Sequence, residues 1–398
     1  MNAHERVYTR PFVLMGLANL FLVSSFGSFY LFPLFVTSRG GSKADIGIMM
    51  GAFALSAVLC RPWISEMIDR IGRKRSYTFG CSIMTALPLF YLLFKGKIHE
   101  FYFQLILARL FHGVGLAICF TAVFTYIADI VPDGRLNEGI GMFGVTGLAG
   151  LAIGPVIAEA IIDHFGFTTF FVSASLLAAF GLLIQLPLPE SHTRSSGTAT
   201  ASFFSILLQK EIFAIASLAF LFGFGLAASG GFVSPYGKEQ HIAFVSIYYL
   251  GYSFSAVTTR VMGGRLADRV GEFRVIPYAL AITGLGLTTL AFLGGTPILV
   301  VSGIMTGCGH GLLFPCLNSL IIRDRAIHIR GKLTGVFTGA IDGGAFLGSI
   351  ILGYVGEWLG YGGLFLAAGL TVLAGLPILW LGMHAIKHHP QTGSEKYR

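Results

Sequence analysis

The stretch 61–75 decides how this chain is organised: Arg61-Pro62-Trp63-Ile64-Ser65-Glu66-Met67-Ile68-Asp69-Arg70-Ile71-Gly72-Arg73-Lys74-Arg75. Its pattern returns 199 residues later, in the stretch 260–274: Arg260-Val261-Met262-Gly263-Gly264-Arg265-Leu266-Ala267-Asp268-Arg269-Val270-Gly271-Glu272-Phe273-Arg274. Because 199 is half of the 398 residues, the repeat indicates two related halves. Self-similarity at this scale is typical of a duplicated domain rather than of a solenoid.

The composition is that of a membrane protein. Hydrophobic residues make up 54% of the chain and charged residues only 12%, whereas charged residues make up about a quarter of soluble proteins. The net charge of +8 does not indicate a nucleic-acid partner, because the basic residues separate apolar runs instead of forming a polar domain. We therefore interpret them as topology signals and expect no binding to nucleic acid.

Twelve apolar runs are long enough to span a bilayer, which takes about 20 residues each. They lie near 11–36, 45–64, 76–95, 101–127, 138–162, 167–188, 212–234, 243–263, 275–294, 297–322, 333–356 and 361–384. The sequence therefore predicts an all-α membrane protein with twelve transmembrane helices. A long polar segment separates the two sets of six, so we predict an N-terminal six-helix bundle (1–188), a linker (189–211) and a C-terminal six-helix bundle (212–398).

The basic residues also predict the orientation. Most of the 27 lysines and arginines lie on the side of the two repeated loops. By the positive-inside rule, both loops, the linker and both termini face the cytoplasm. We expect the protein in the plasma membrane, or in the inner membrane of a Gram-negative cell, with its first helix retained as an anchor.

The sequence offers no pattern for a metal or for enzymatic chemistry. The five cysteines lie in or beside apolar segments without metal-ligand spacing, which favours free thiols. Nucleophile-elbow and phosphate-binding-loop patterns are also missing from the sequence. We expect no metal, no cofactor and no enzymatic activity.

Both repeated loops resemble the signature between helices 2 and 3 of the major facilitator superfamily, Gly-x-x-x-Asp-Arg-x-Gly-Arg-Arg/Lys. The second copy has the glycine of this pattern at Gly264, whereas Ser65 stands there in the first copy. The resemblance implies two pseudo-symmetric six-helix bundles around a central cavity, and transport by alternating access.

The resemblance also implies a cytoplasmic gate. Asp69 would meet helix 11 near Gly331–Lys332 and hold the cytoplasmic side closed, while arginines of the loop would pair with Asp129. The alternative is that the loop only determines topology. The gate residues implied are Asp69, Arg70, Gly72, Arg73, Asp129, Asp268, Arg269 and Gly271.

Helix 4 carries two polar residues on one face, Arg109 and His112. At 1.5 Å per residue they lie about 12 Å and about 16 Å inside the membrane. An arginine at that depth should face water or a partner. Arg109 resembles the arginine of a helix-4 Arg-x-x-x-Gly motif linked to proton coupling. The alternative is a hydrogen-bonded strut between helices.

Helix 5 resembles the antiporter signature of the superfamily at Gly141, Gly150, Gly154 and Pro155, which implies export. The final glycine pair of that signature is replaced by Ala158-Glu159. The alternative is a packing stripe without meaning for transport. Glu159 lies 21 residues after Glu138, so we expect it about 32 Å further along, among the headgroups.

Two residues of the second half complete the candidate site. Asp342 lies close to the membrane midplane on a glycine-rich helix, and an acid at that depth is a functional candidate. Its alternative role is that of a neutral acid hydrogen-bonded to a carbonyl. His310 on helix 10 is taken as the approximate counterpart of His112.

The sequence therefore predicts a proton-coupled exporter of an amphipathic small molecule, with Arg109, His112, His310 and Asp342 as the coupling and substrate residues. The expected partners are the substrate, protons and membrane lipids, and we expect a monomer. The open alternatives are proton-driven uptake of a metabolite, transport of a lipid or lysolipid, and a receptor that does not transport.

Overall fold

The computed structural model describes residues 6–191, 209–322 and 327–387, and these ranges contain twelve spanning helices and no strand. The first half has α1 (Arg10–Ser38, with a 3-10 turn at Phe29–Leu31), α2 (Lys43–Ile71), α3 (Arg73–Phe90), α4 (Tyr102–Ile130), α5 (136–165) and α6 (167–185). The second half has α7 (Lys210–Glu239), α8 (Ile247–Val270), α9 (Glu272–Thr289), α10 (Thr296–Ile322), α11 (327–359) and α12 (361–387, with a turn at Ala374). The predicted all-α fold is confirmed, whereas the linker between the halves lies mostly outside the described residues.

Glycines with positive φ make the sharpest changes of direction, because they lack the Cβ that disfavours this conformation. Gly72 (φ 110°) and Gly271 (φ 87°) follow α2 and α8, as the repeated loops predict. Gly166 (φ 75°) separates α5 from α6, and Gly360 (φ 69°) separates α11 from α12. The second pair lies 194 residues apart instead of 199.

The two spacings come from a difference in one loop. A Cβ on Gly113 of α4 would lie 2.1 Å from the Phe53 carbonyl oxygen of α2, and one on Gly307 of α10 would lie 2.1 Å from that of Tyr252 of α8. Phe53 and Tyr252 are 199 residues apart, whereas Gly113 and Gly307 are 194 apart. The connection between α9 and α10 is shorter than that between α3 and α4, so equivalent residues are 194 apart from α4 to the end of α5.

We call the membrane face at which α2 ends the signature face, and the other the opposite face. On the opposite face the halves are joined by three helix pairs. Ser234 Oγ of α7 donates to the Tyr30 carbonyl of α1 (2.7 Å), and Ser246 Oγ, just before α8, donates to the Pro155 carbonyl of α5 (2.9 Å). The backbone N–H of Lys43 at the start of α2 donates to Glu357 of α11 (3.1 Å). The structure is therefore closed at the opposite face.

Candidate transport site

The signature loop of the first half is tied down by Arg73. Its side chain is only 7% exposed, and its Nε lies 3.0 Å from Oδ2 of Asp129, the pairing implied by the superfamily signature. The Asp69 carboxylate lies 3.4 Å from Arg73 but is 68% exposed. Asp69 is thus not buried against α11 as the gate would require. A structure closed at the opposite face explains the difference, because a cytoplasmic gate would close in the other state.

The remaining gate residues lie mainly at the surface. Arg70 is 76% exposed and forms an ion pair with Glu66 one helical turn earlier. Arg269 is exposed, and the side chain of Asp268 lies outside the described part of the chain. Ser65 is also exposed, so the departure of the first copy from glycine does not fall at a helix contact.

Arg109 is enclosed by aromatic rings of the first half. Its side chain is 1% exposed, and its Nε donates to the Met49 carbonyl of α2 at 3.2 Å. The guanidinium carbon lies 4.7 Å from the ring centre of Phe32 and 4.6 Å from that of Phe53. These rings attract the cation and reduce the free-energy cost of burying it. Arg109 has partners, as expected for an arginine at that depth. These partners are protein groups and not water in a cavity.

His112 lies in the same enclosure and has no exposed surface. Its Nδ1 is 3.3 Å from the Tyr91 hydroxyl, and its ring centre is 4.5 Å from that of Phe29. Both His112 and Arg109 contact Phe29 and Phe53, so they share a face as their spacing predicts. This arrangement suits a strut between helices at least as well as it suits proton coupling.

Asp342 of α11 forms an ion pair with Arg61 of α2, a partner that the sequence did not indicate. Arg61 also donates through Nη1 to Thr338 Oγ1, at 2.8 Å. The sequence places Arg61 at the start of the repeated loop. In the structure α2 continues to Ile71, so Arg61 lies about 15 Å before the helix end. The carboxylate is therefore paired with a cation and does not rely on a backbone carbonyl.

The Arg61–Asp342 pair joins the two halves and is less enclosed by protein than Arg109 and His112 are. The side chains are 21% and 28% exposed, unlike Arg109 and His112. The pair links an acidic side chain of one half to a basic side chain of the other.

His310 is half-buried on α10, and its Nδ1 is hydrogen-bonded to the Tyr252 hydroxyl of α8. It is not the counterpart of His112. Because equivalent residues of α4 and α10 are 194 apart, the residue that corresponds to His112 is Thr306, which is buried and lies 3.0 Å from the Tyr248 hydroxyl. The shorter α9–α10 connection explains the error.

The glycines of α5 differ in what they contact. A Cβ on Gly154 would lie 2.2 Å from the Ser24 carbonyl oxygen of α1, and one on Gly150 would lie 2.9 Å from the Ser24 nitrogen. A Cβ on Gly141 would meet nothing within 4 Å. The motif therefore brings α1 close to α5 at its later glycines, and its proline supplies the carbonyl that binds Ser246 on the opposite face.

Glu159 joins the halves and is buried between them. It is 2% exposed, and its Oε1 lies 2.9 Å from Lys238 Nζ at the end of α7. Its two oxygens accept hydrogen bonds from the backbone N–H groups of Val245 (2.8 Å) and Ser246 (2.7 Å). These partners all lie in the other half of the chain. In the sequence, the only indication of this contact is that Glu159 and Lys238 are oppositely charged residues near the ends of two apolar runs.

No group of three or more histidine, cysteine or acidic side chains suited to a metal ion occurs in the part of the chain that the structure describes.

The family model described as Major Facilitator Superfamily matches residues 13–326 and 215–398, which together cover nearly the whole chain. This chain belongs to the major facilitator superfamily. It is a multi-pass membrane transport protein.

Relatives within the superfamily include exporters by name. The staphylopine export protein of Staphylococcus aureus is 24% identical, with 91% of this chain and 94% of the relative covered. Multidrug resistance protein 2 of Bacillus subtilis is 28% identical, with 86% and 88% covered. A crystal structure of the nucleoside transporter NupG has a TM-score of 0.71 at 17% identity, with 96% of this chain and 100% of that chain covered, which shows the shared fold.

Proposed function

We propose that this superfamily member exports an amphipathic small molecule from the cytoplasm in exchange for protons, by alternating access. Relatives named for export and for multidrug resistance support the direction. The excess of basic residues on the side of the signature face supports a cytoplasmic location for that face and for both termini. The membrane would be the plasma membrane, or the inner membrane of a Gram-negative cell, and the working unit a monomer.

The observation that carries the proposal is the Arg61–Asp342 pair. A proton on Asp342 removes the negative charge that holds Arg61, and the two residues belong to different halves. Proton binding would therefore weaken one contact between α2 and α11 and change how the halves fit together. A partly exposed pair is reachable by protons from the side to which the site is open.

The closed opposite face supports a starting state that receives substrate from the cytoplasm. Release on the other side would require the contacts of Glu159, Lys238 and Lys43 between the halves to separate. Separation of these ion pairs and hydrogen bonds exposes polar groups that water can hydrate.

The proposal is tested by reconstitution into proteoliposomes. A panel of fluorescent amphipathic dyes is supplied outside, and vesicles with an acidic interior are compared with vesicles without a pH gradient. Vesicles in which the protein is oriented inside out should accumulate at least one dye only when their interior is acidic. Accumulation driven by an acidic exterior would indicate uptake. Accumulation that is independent of the pH gradient would exclude proton coupling.

A further inference from the structure

Arg260 of α8 is a cation inside the membrane, and no described residue forms an ion pair with it. It lies 199 residues after Arg61, is half-buried, and is about 15 Å from the end of its helix. Its Nε is buried and has no hydrogen-bond partner among the described residues. None of the ion pairs formed between described residues includes it.

Arg260 faces α10 on one side and α5 on the other. Its guanidinium carbon lies 5.6 Å from the ring centre of Phe314 on α10. On the other side it approaches α5, where a Cβ added to Gly144 would lie 2.7 Å from its Nη1. The contact crosses from the second half to the first, as the Arg61 contact with α11 crosses in the other direction.

The internal symmetry shows which acceptors are missing. Positions of α5 and α11 correspond at a spacing of 194, since Gly150 and Gly154 match Gly344 and Gly348 and both helices end at a glycine with positive φ. At this spacing Thr338, which binds Arg61, corresponds to Gly144. Asp342, the counterion of Arg61, corresponds to the buried Leu148.

Arg61 and Arg260 are related by the internal symmetry and face the related helices α11 and α5. Among the described residues, only Arg61 has side-chain acceptors on the helix that it faces. An arginine in the hydrocarbon region has a free-energy cost of at least a few kcal/mol unless it is paired or hydrated. Gly144 lets the guanidinium approach α5 closely, but a glycine offers it no side-chain acceptor. A planar guanidinium offers paired donors that match a carboxylate or phosphate group.

We propose that Arg260 binds the acidic group of the transported molecule, so that the substrate is an amphipathic organic anion with a carboxylate or phosphate. The negative group pairs with the Arg260 guanidinium where it faces α5, and the apolar body contacts rings such as that of Phe314. This inference rests on the proposed function only in taking the space between the halves as the transport route.

The test uses the full chain in detergent and a series of aryl carboxylates that begins with naphthalene-2-carboxylate, each paired with its amide. Binding is measured by calorimetry for the native protein and three variants. Arg260→Gln removes the cation, and Gly144→Asp places a carboxylate next to it. Gly144→Asn is the matched control, because it has the same size without the charge. Unchanged melting temperatures of the unliganded variants show that each one is folded.

The native protein should bind at least one carboxylate about tenfold more tightly than its amide, as expected for a charge-assisted hydrogen-bonded pair. Arg260→Gln and Gly144→Asp should abolish this preference, whereas Gly144→Asn should keep most of it. Equal binding of every acid and its amide by the native protein, or equal loss in both Gly144 variants, would overturn the inference. Gradient-driven transport of a neutral or cationic dye in proteoliposomes, measured separately, would then leave the proposed function standing.

Discussion

The proton-carrying role that we propose for Asp342 depends on a single charge that bridges the two halves. Asp342→Asn keeps the shape of the side chain but holds it permanently in the uncharged state, so Arg61 loses its counterion in every step of the cycle. We expect accumulation driven by a pH gradient to fall to background. Substrate counterflow, which needs no proton cycle, should remain within a few-fold of the native rate. Both are measured in the same vesicle preparation.

Asp342→Glu is the control, because it keeps the charge and should retain part of the gradient-driven transport. Should Asp342→Asn still accumulate substrate in response to pH, Asp342 is not the proton carrier. The role would then pass to His112 or His310, or proton coupling would have to be abandoned.

Arg109 differs from Asp342 because its contacts are all internal. Arg109→Ala removes the hydrogen bond to Met49 and the contacts with Phe32 and Phe53. We expect the free energy of unfolding to fall by about 3 kcal/mol, from one charged hydrogen bond and one buried cation–π contact. Arg109→Lys should lose less, because a lysine keeps the charge but not the planar donors.

Thermal unfolding in detergent and counterflow together separate the two roles of Arg109. A lower melting temperature with a parallel loss of counterflow identifies a strut. An unchanged melting temperature with loss of pH-driven accumulation alone would show a direct part in coupling and would contradict our expectation.

The packing of α5 against α1 leads to a prediction that compares two glycines of α5. Gly154→Ala would force α1 and α5 apart, because the new Cβ meets the Ser24 carbonyl oxygen at 2.2 Å. Overpacking of this kind destabilises by about 1–3 kcal/mol. Gly141→Ala lies on the same helix with open space around it and should be neutral or more stable by up to about 1 kcal/mol. Equal melting temperatures for the two variants would show that the motif does not act through packing.

The helices were predictable from the sequence because a bilayer imposes one length and one composition on each of them. The ends of the helices were less predictable. The charge of Arg61 suggests the end of helix 2, but α2 continues for ten residues to Ile71 with Arg61 turned toward α11. Length and composition cannot reveal such a pairing, because Asp342 is 281 residues away. For the same reason the sequence did not predict the contacts of Glu159 with Lys238 and with the backbone of Ser246.

The whole molecule is symmetric in its helices and asymmetric in its charges. The repeat of 199 residues predicted the duplication, and the register of 194 residues beyond α4 became visible only from helix contacts. That register explains why His310 was matched to the wrong residue. It also shows that the pair Arg61–Asp342 has no equivalent in the interface of Arg260 and α5. A duplicated transporter can thus use one interface for the coupling ion and the other for substrate.

The balance between the two states of the molecule should respond in opposite directions to changes at its two faces. Glu159→Gln removes the ion pair with Lys238 that joins the halves at the opposite face, so it should favour opening there. Asp69→Asn should favour the present state, because Asp69 is 68% exposed here and its proposed gate contact forms only when the opposite face is open. Loss of an interaction of about 1.4 kcal/mol shifts such an equilibrium about tenfold.

Ser349 of α11 reports this balance, because it is 3% exposed where α11 packs against Gly47 of α2. In a background without the native cysteines, the labelling rate of Ser349→Cys by a maleimide should rise about tenfold with Glu159→Gln. It should fall with Asp69→Asn. A rise in both variants would indicate general loosening of the fold, which unfolding temperatures would detect. Equal rates in the parent and in Asp69→Asn would exclude Asp69 as a gate, because a gate that forms only in the other state must alter how often that state is visited.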